Sequence, residues 1–346
     1  MENLETSKSF RFVEIDVMKG IAIMLVVLGH VLAWFYDDFL VRIDSMPYNE
    51  IVLWKYIYSF HMPLFMFVSG FVVFNPCKKY TLLKVGRRCT SYLIPLVTFG
   101  VICSIYREEF NIGNILGQYW YFKTLAIFLM LVFFLDTILG KVVRKSRYKN
   151  LVVPVLFSSV ILGLSQICKR YGGAVDLILD SSHLDWNFFY FIVGWYLRRE
   201  KNIYELCKSD WVLPICLVLM IIHFVYPKNI YVFFPLVAIL FTANISQLLS
   251  DGHIKKMIIS FGKSTKDIYI LHFFFMLKIP LIGQYFESII GLGIAPAVVT
   301  QIFIGFPICL VITYLCYKIG KVLNRNKYVA KYCFGYISVS YTHLRA

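Results

Sequence analysis

An all-α polytopic bundle of about ten transmembrane helices is the fold class this sequence predicts, and three observations predict it. Hydrophobic residues make up 59% of the 346 positions against 16% charged ones, with a mean hydropathy of +0.69. So little polar surface cannot coat a water-soluble globule. Apolar runs long enough to cross a bilayer recur between clusters of charge. The lysines and arginines gather in alternate segments between those runs instead of spreading along the chain.

The first run, 17–37, follows the acids Glu2, Glu5, Glu14 and Asp16 and lacks a small-residue cleavage site, so it is expected to be a retained span and not a signal peptide. The second, 51–74, contains Pro63, which removes a helical hydrogen bond and leaves a carbonyl one turn earlier to be satisfied. The third and fourth cover 89–106 and 119–139, and Trp120-Tyr121-Phe122-Lys123 heads the fourth, first as an aromatic belt and second as a sugar-stacking edge. The fifth covers 151–168. The sixth, Trp186–Leu197, is too short to cross alone, so it must recruit Ala174–Leu184, tilt, or re-enter. The last four lie at 211–226, 230–249, 267–283 and 295–318.

With both termini cytoplasmic, the inner segments hold 27 of the 35 basic residues, which is the asymmetry an N-in, C-in topology requires. The same residues explain a net charge of +15 without nucleic acid: they sit at span edges, facing anionic lipid, and form no basic-aromatic stripe. One domain is expected over 1–331, followed by a disordered or non-native tail, 332–346. Ser338–Ala346 resembles translated read-through of a sequencing adaptor, so His343 is excluded from any site.

Motifs of soluble enzymes are absent. The nine cysteines form no Cys-x-x-Cys pair and no histidine stands at metal-ligand spacing, so no metal is expected. Any chemistry must come from side chains facing one another across the bundle. Four constellations qualify. On the first span Asp16, Lys19, Ile23 and His30 fall within about 60° of one another on a helix, with Lys19 and His30 about 16 Å apart along its axis. An intramembrane histidine is costly to keep and is a functional candidate by default. On the second span, Ser59-Phe60-His61-Met62-Pro63 offers His61 either as a donor to the site or as a cap on the kink, and Ser69-Gly70 permits close helix approach. Lys84, Arg87 and Arg88 suit a phosphorylated ligand as well as inner-leaflet anchoring. At the head of the ninth span, Asp267-Ile268-Tyr269-Ile270-Leu271-His272 places His272 near the cytoplasmic side, beside Tyr269.

Taken in order, Asp16-Val-Met-Lys19-Gly20 through Leu28-Gly29-His30, Phe60-His61-Met62-Pro63 with Ser69-Gly70-Phe71, Arg88 ahead of Leu93-Ile94-Pro95, and Ile268-Tyr269-Ile270-Leu271-His272 resemble membrane acyltransferase family 3, with a flavour of its fucose O-acetylase-related branch. The likeness runs over about residues 10–325. It implies a multi-pass protein of the bacterial cytoplasmic membrane that moves an acetyl or other small acyl group from cytoplasmic acyl-CoA to a hydroxyl of a cell-envelope carbohydrate. No permanently bound cofactor is implied. His30 then removes the acceptor's proton or itself carries the acyl group, and His61 orients the reactants or stabilises the oxyanion. Lys19, Arg88, Arg87 and Lys84 meet CoA phosphates, with Asp16, Ser69, Tyr269 and His272 in support. The chain departs from the family pattern in three places: Lys19 stands where the family carries arginine, Ser91 stands at the second position of an Arg-x-x-Arg pair, and a glutamate found shortly after the histidine in some relatives has Asp37 and Asp38 as its nearest acids. The rival expectation is a transporter or flippase for a glycan precursor, since polar groups at the midplane of ten spans also suit alternating access. A structural or sensory scaffold is the third.

Overall fold

The computed structural model describes residues 12–36, 43–73, 80–108, 110–142, 149–173, 176, 181–226, 233–276 and 278–337, and among them all regular structure is helical, with no strand. The helices are α1 (Val13–Trp34), α2 (Tyr48–Tyr58), α3 (His61–Val73), α4 (Leu82–Tyr106), α5 (Ile112–Gln118), α6 (Trp120–Val142), α7 (Lys149–Tyr171), α8 (Ser181–Arg199), α9 (Lys201–Cys207) and α10 (Val212–Val225). They continue with α11 (Phe234–Leu248), α12 (His253–Lys263), α13 (Thr265–Leu271), a 3₁₀ turn (His272–Phe275), α14 (Pro280–Ile289), a second 3₁₀ turn (Ile290–Leu292), α15 (Ile294–Leu323) and α16 (Lys327–Tyr332).

Each of the ten apolar runs falls on one or two of these helices. Four described helical segments are long and apolar enough to cross a membrane singly: Val13–Trp34, Glu50–Val73, Leu82–Tyr106 and Ile294–Leu323. Bent pairs raise that number to seven, among them Ile112–Gln118 with Trp120–Phe134, bent by 73°, and Lys201–Cys207 with Val212–Val225, bent by 63°. The sixth run is part of a helix of 19 residues that begins at Ser181, about 28 Å long at 1.5 Å per residue, so it gains length upstream. Residues 174–175 and 177–180 lie outside the described set.

α1 is the hub. It is apolar all round, as a helix enclosed by others should be, and α12, α15, α3 and α11 pack on it. Close approach depends on glycine. A Cβ at Gly20 would strike the Ile258 carbonyl and one at Gly262 the Asp16 carbonyl, so α1 and α12 touch backbone to backbone. The same device joins α3 to α8, where Gly70 faces the Phe191 carbonyl and Gly194 the Phe67 carbonyl. The close approach expected of Ser69-Gly70 is thereby met.

The second span breaks at Ser59-Phe60, between α2 and α3. Pro63 falls in the first turn of α3, where a missing N–H leaves no helical bond unmade. Ser59 Oγ donates to the Tyr56 carbonyl at 2.6 Å and His61 Nδ1–H to the Ile57 carbonyl at 2.9 Å, closing the exposed end of α2.

Two expectations are corrected. His272 is not at the level of the start of α1: amphipathic α12 packs along the first turns of α1, and α13 then carries His272 to within 5.2 Å of the His30 ring, near the other end of that helix. The charges of α12 hid it from hydropathy. The expected tail also starts too early at residue 332, since Phe334 is fully buried against Phe99, with ring centroids 5.1 Å apart. Tyr336 donates to Asp267 Oδ1 at 2.7 Å, and Asn324 donates to the other oxygen at 3.0 Å. Residues 338–346 lie outside the described set.

Candidate active site

α1 carries His30 into the interior, and three other elements converge on it. Tyr58, the last residue of α2, brings its hydroxyl to 3.5 Å from His30 Nδ1. The 3₁₀ turn after α13 sets His272 and Phe273 beside the ring, with centroids at 5.2 and 4.9 Å. Trp34, one turn further along α1, lies at 5.8 Å. His61 approaches from the start of α3 through Tyr58, whose ring is 4.6 Å from its own.

The three histidines are held differently. His61 and His272 are 4% and 0% exposed, and each donates Nδ1–H to the carbonyl four residues earlier, Ile57 and Ile268. That bond fixes the tautomer and leaves Nε2 as an acceptor on both rings. His272 Nε2 has no hydrogen-bond partner among the described residues. His30, by contrast, is half-buried, and among the described residues no carbonyl holds its ring. Trp34 and Phe273 are half-buried too, and the exposed Arg107 guanidinium lies 5.6 Å from the Trp34 ring and 6.0 Å from that of Phe273. Together they lie on one side of His30, with Arg107 held by a 3.0 Å bond to Gln118 Oε1.

The supporting residues sit behind this group. Ser69 Oγ and the Tyr121 hydroxyl are 2.7 Å apart; Tyr121 packs on Tyr269 at 5.4 Å, and Tyr269 on His272 at 5.8 Å. Tyr119, fully buried, donates to the Ile270 carbonyl at 3.0 Å and backs Phe273 at 5.7 Å.

The basic cluster lies elsewhere, one helix length away. Arg88 donates to the Val73 carbonyl at the far end of α3, about 18 Å along that helix from His61, and lies 5.7 Å from the Tyr80 ring. Lys84 and Arg87 project from α4 and are exposed. Arg198 stacks on Phe12 at 4.1 Å and Phe71 at 5.4 Å, adding a guanidinium to the same end of the bundle. Lys19 stands 3.7 Å from Asp16 Oδ1, one turn back on α1. Asp37 and Asp38 lie outside the described residues, and no group of three or more potential metal ligands occurs among the described ones.

Tyr58 and Arg107 were missed in the sequence. Tyr58 carries a signal in hindsight, three residues before His61 on a stripe that also holds Trp54; Arg107 carries none, being one of several cations outside the apolar runs.

A bundle that is all-helical among the described residues, with an apolar exterior, three clustered histidines in its interior and a cationic far end, defines a membrane-embedded protein. The chain belongs to the acyltransferase-domain family Acyl_transf_3, whose profile matches residues 12–318. Among curated proteins it is similar to nodulation protein NolL of Sinorhizobium fredii, 38% identical over 88 residues, 25% of this chain and 23% of that one. It is also similar to nodulation protein NolL of Mesorhizobium japonicum, 34% identical over 88 residues, 25% and 22% of the two chains. The matched segment thus spans less than a quarter of each of these relatives. No solved structure matches.

Proposed function

We propose that the protein is an integral-membrane O-acyltransferase, first of all an O-acetyltransferase, moving an acyl group from cytoplasmic acyl-CoA to a hydroxyl of a cell-envelope carbohydrate. Family membership supports acyl transfer. The observation that carries the site is that His30, alone of the three clustered histidines, keeps accessible surface and an unpinned ring.

With Nδ1–H donating to the Tyr58 oxygen, the Nε2 lone pair of His30 takes the proton of the acceptor hydroxyl. The freed oxygen attacks the thioester carbonyl, the C–S bond breaks, and the proton returns from His30 to the CoA thiolate. Nε2–H then needs no other outlet. The pinned His61 and His272 hold the Tyr58 and His30 rings in place. Trp34 and Phe273 present aromatic faces to the sugar, below Arg107.

At the other end, Lys84, Arg87 and Lys19 meet CoA phosphates, while Arg88, engaged with the Val73 carbonyl, ties α4 to α3 and adds charge. This reading uses ten crossings with both termini in the cytoplasm of a bacterial inner membrane, as the lysine and arginine distribution favours.

Purified protein incubated with radiolabelled acetyl-CoA and an envelope glycan extract should move label into the glycan. Glycan flux across vesicles without label transfer would replace this reading with a transporter.

A further inference from the structure

α12 and α15 both pack on α1, and between them runs an open groove of about 280 Å³ lined by Met257 and Phe261 of α12 and Leu310, Val311, Tyr314 and Leu315 of α15. Val311 is 59% exposed and Tyr314 46%, so the groove opens at the surface of the bundle. Water takes about 30 Å³ per molecule and needs polar partners to stay ordered, which this lining hardly offers. The space suits an apolar chain.

One end of the groove is cationic. Val311, Tyr314, Leu315, Lys318 and Lys321 fall within about 120° of one another on α15, so the two lysines continue the groove's own face. Beneath them lies an aromatic floor: Phe261 meets Tyr317 with ring centroids 5.8 Å apart, and Tyr317 meets Tyr314 at 6.3 Å. Lys318 Nζ stands 5.2 Å from the Tyr314 ring and Lys321 Nζ 4.6 Å from the Tyr317 ring, both leaning back over the preceding turn as helical side chains do. Lys321 also donates to the Tyr317 hydroxyl, a neutral partner that leaves its charge uncancelled. Neither lysine forms an ion pair among the described residues. Lys256 and Lys263 add exposed cations from α12. Gly262 holds α12 against Asp16 in the first turn of α1, so the groove lies toward the end of the bundle where that span begins, at the level of lipid headgroups.

We propose that this groove binds one anionic phospholipid, with an acyl chain between α12 and α15 and the phosphate held by Lys318 and Lys321. A zwitterionic lipid cancels its own charge, and a soluble phosphate lacks the chain. None of these residues belongs to the group around His30, so the binding is readable whether or not the protein transfers an acyl group.

The test titrates the full chain in detergent with phosphatidylglycerol or with phosphatidylcholine of the same acyl chains and follows bound lipid by native mass spectrometry. One phosphatidylglycerol should bind about tenfold or more tightly than phosphatidylcholine, since each lysine near a charged headgroup is worth about fivefold. Lys318→Gln combined with Lys321→Gln should bring that preference to about twofold or less, while the two arginine replacements keep it. Val311→Trp, which pushes an indole into the groove from an exposed position, should remove retention of both lipids. Glycerol 3-phosphate, the headgroup without chains, should not displace the bound lipid.

Equal affinity for the two lipids would overturn the proposal, as would an unchanged preference in the glutamine variant or unchanged retention in Val311→Trp. So would a lipid-free dimer that Val311→Trp dissociates, since the groove would then belong to a second copy of the chain. If the glutamine variant does not fold, by its thermal melt, Val311→Trp and the wild-type preference decide alone.

Discussion

His61 and His272 are fixed by bonds to carbonyls of their own chain segments, which leaves a single Nε2 lone pair on each. His30 answers instead to Tyr58, a side chain from another helix. Removing that hydroxyl should therefore cost turnover more than folding. Tyr58→Phe is expected to lower kcat about tenfold while leaving the melting temperature within a few degrees, because it deletes one long hydrogen bond and keeps the stack on Trp54. Steady-state kinetics beside a thermal melt in detergent would show it; an unchanged kcat would take Tyr58 out of the mechanism. At this scale the sequence was legible where a polar residue interrupts an apolar run. His30 and His61 stand out that way, and so does the cation cluster around Arg88. Tyr58 and Trp54 do not, since aromatic residues are ordinary in spans, and only the meeting of α1, α2 and the 3₁₀ turn gives them a role.

Helices of this bundle meet where glycine lets backbones touch. Gly70 and Gly194 join α3 to α8, and Gly20 and Gly262 join α1 to α12; the second pair sets how deep His272 sits. Gly70→Ala puts a methyl group into the Phe191 carbonyl and should destabilise by about 1–3 kcal/mol through overpacking. Gly163→Ala, whose Cβ meets nothing, should not. Melting temperatures of the two variants in one detergent check the difference, and equal values would contradict the packing. The helices themselves were readable from hydropathy, each run holding helix among its described residues. The way they pack was less so. α12 alternates lysines with isoleucine and phenylalanine, so no apolar window includes it, and its fit against α1 depends on two glycines more than two hundred residues apart.

The whole molecule is apolar outside as well as inside: Leu83, Ile105, Val155, Phe303 and Val311 are all exposed, as suits a protein whose solvent is lipid. Its two polar regions lie at different levels, the three clustered histidines in the interior and Lys84, Arg87 and Arg88 beyond the end of α3. An elongated donor with phosphates at one end and a thioester at the other matches that separation. Topology can be checked directly. Alkaline phosphatase, active only outside the cytoplasm, should work when fused after Arg170 and fail when fused after Arg199 under the proposed topology, in which α8 is the sixth crossing. Activity at both points would make the sixth segment re-entrant.

The central claim is that His30 is the base for acyl transfer, and His30→Ala tests it most directly. With the variant shown to be folded and inserted by size-exclusion chromatography and a thermal melt, the initial rate of label transfer from acetyl-CoA to glycan should fall by about 10² or more, the usual worth of a general base. A folded His30→Ala protein that transfers label within a few-fold of the wild-type rate would contradict the account.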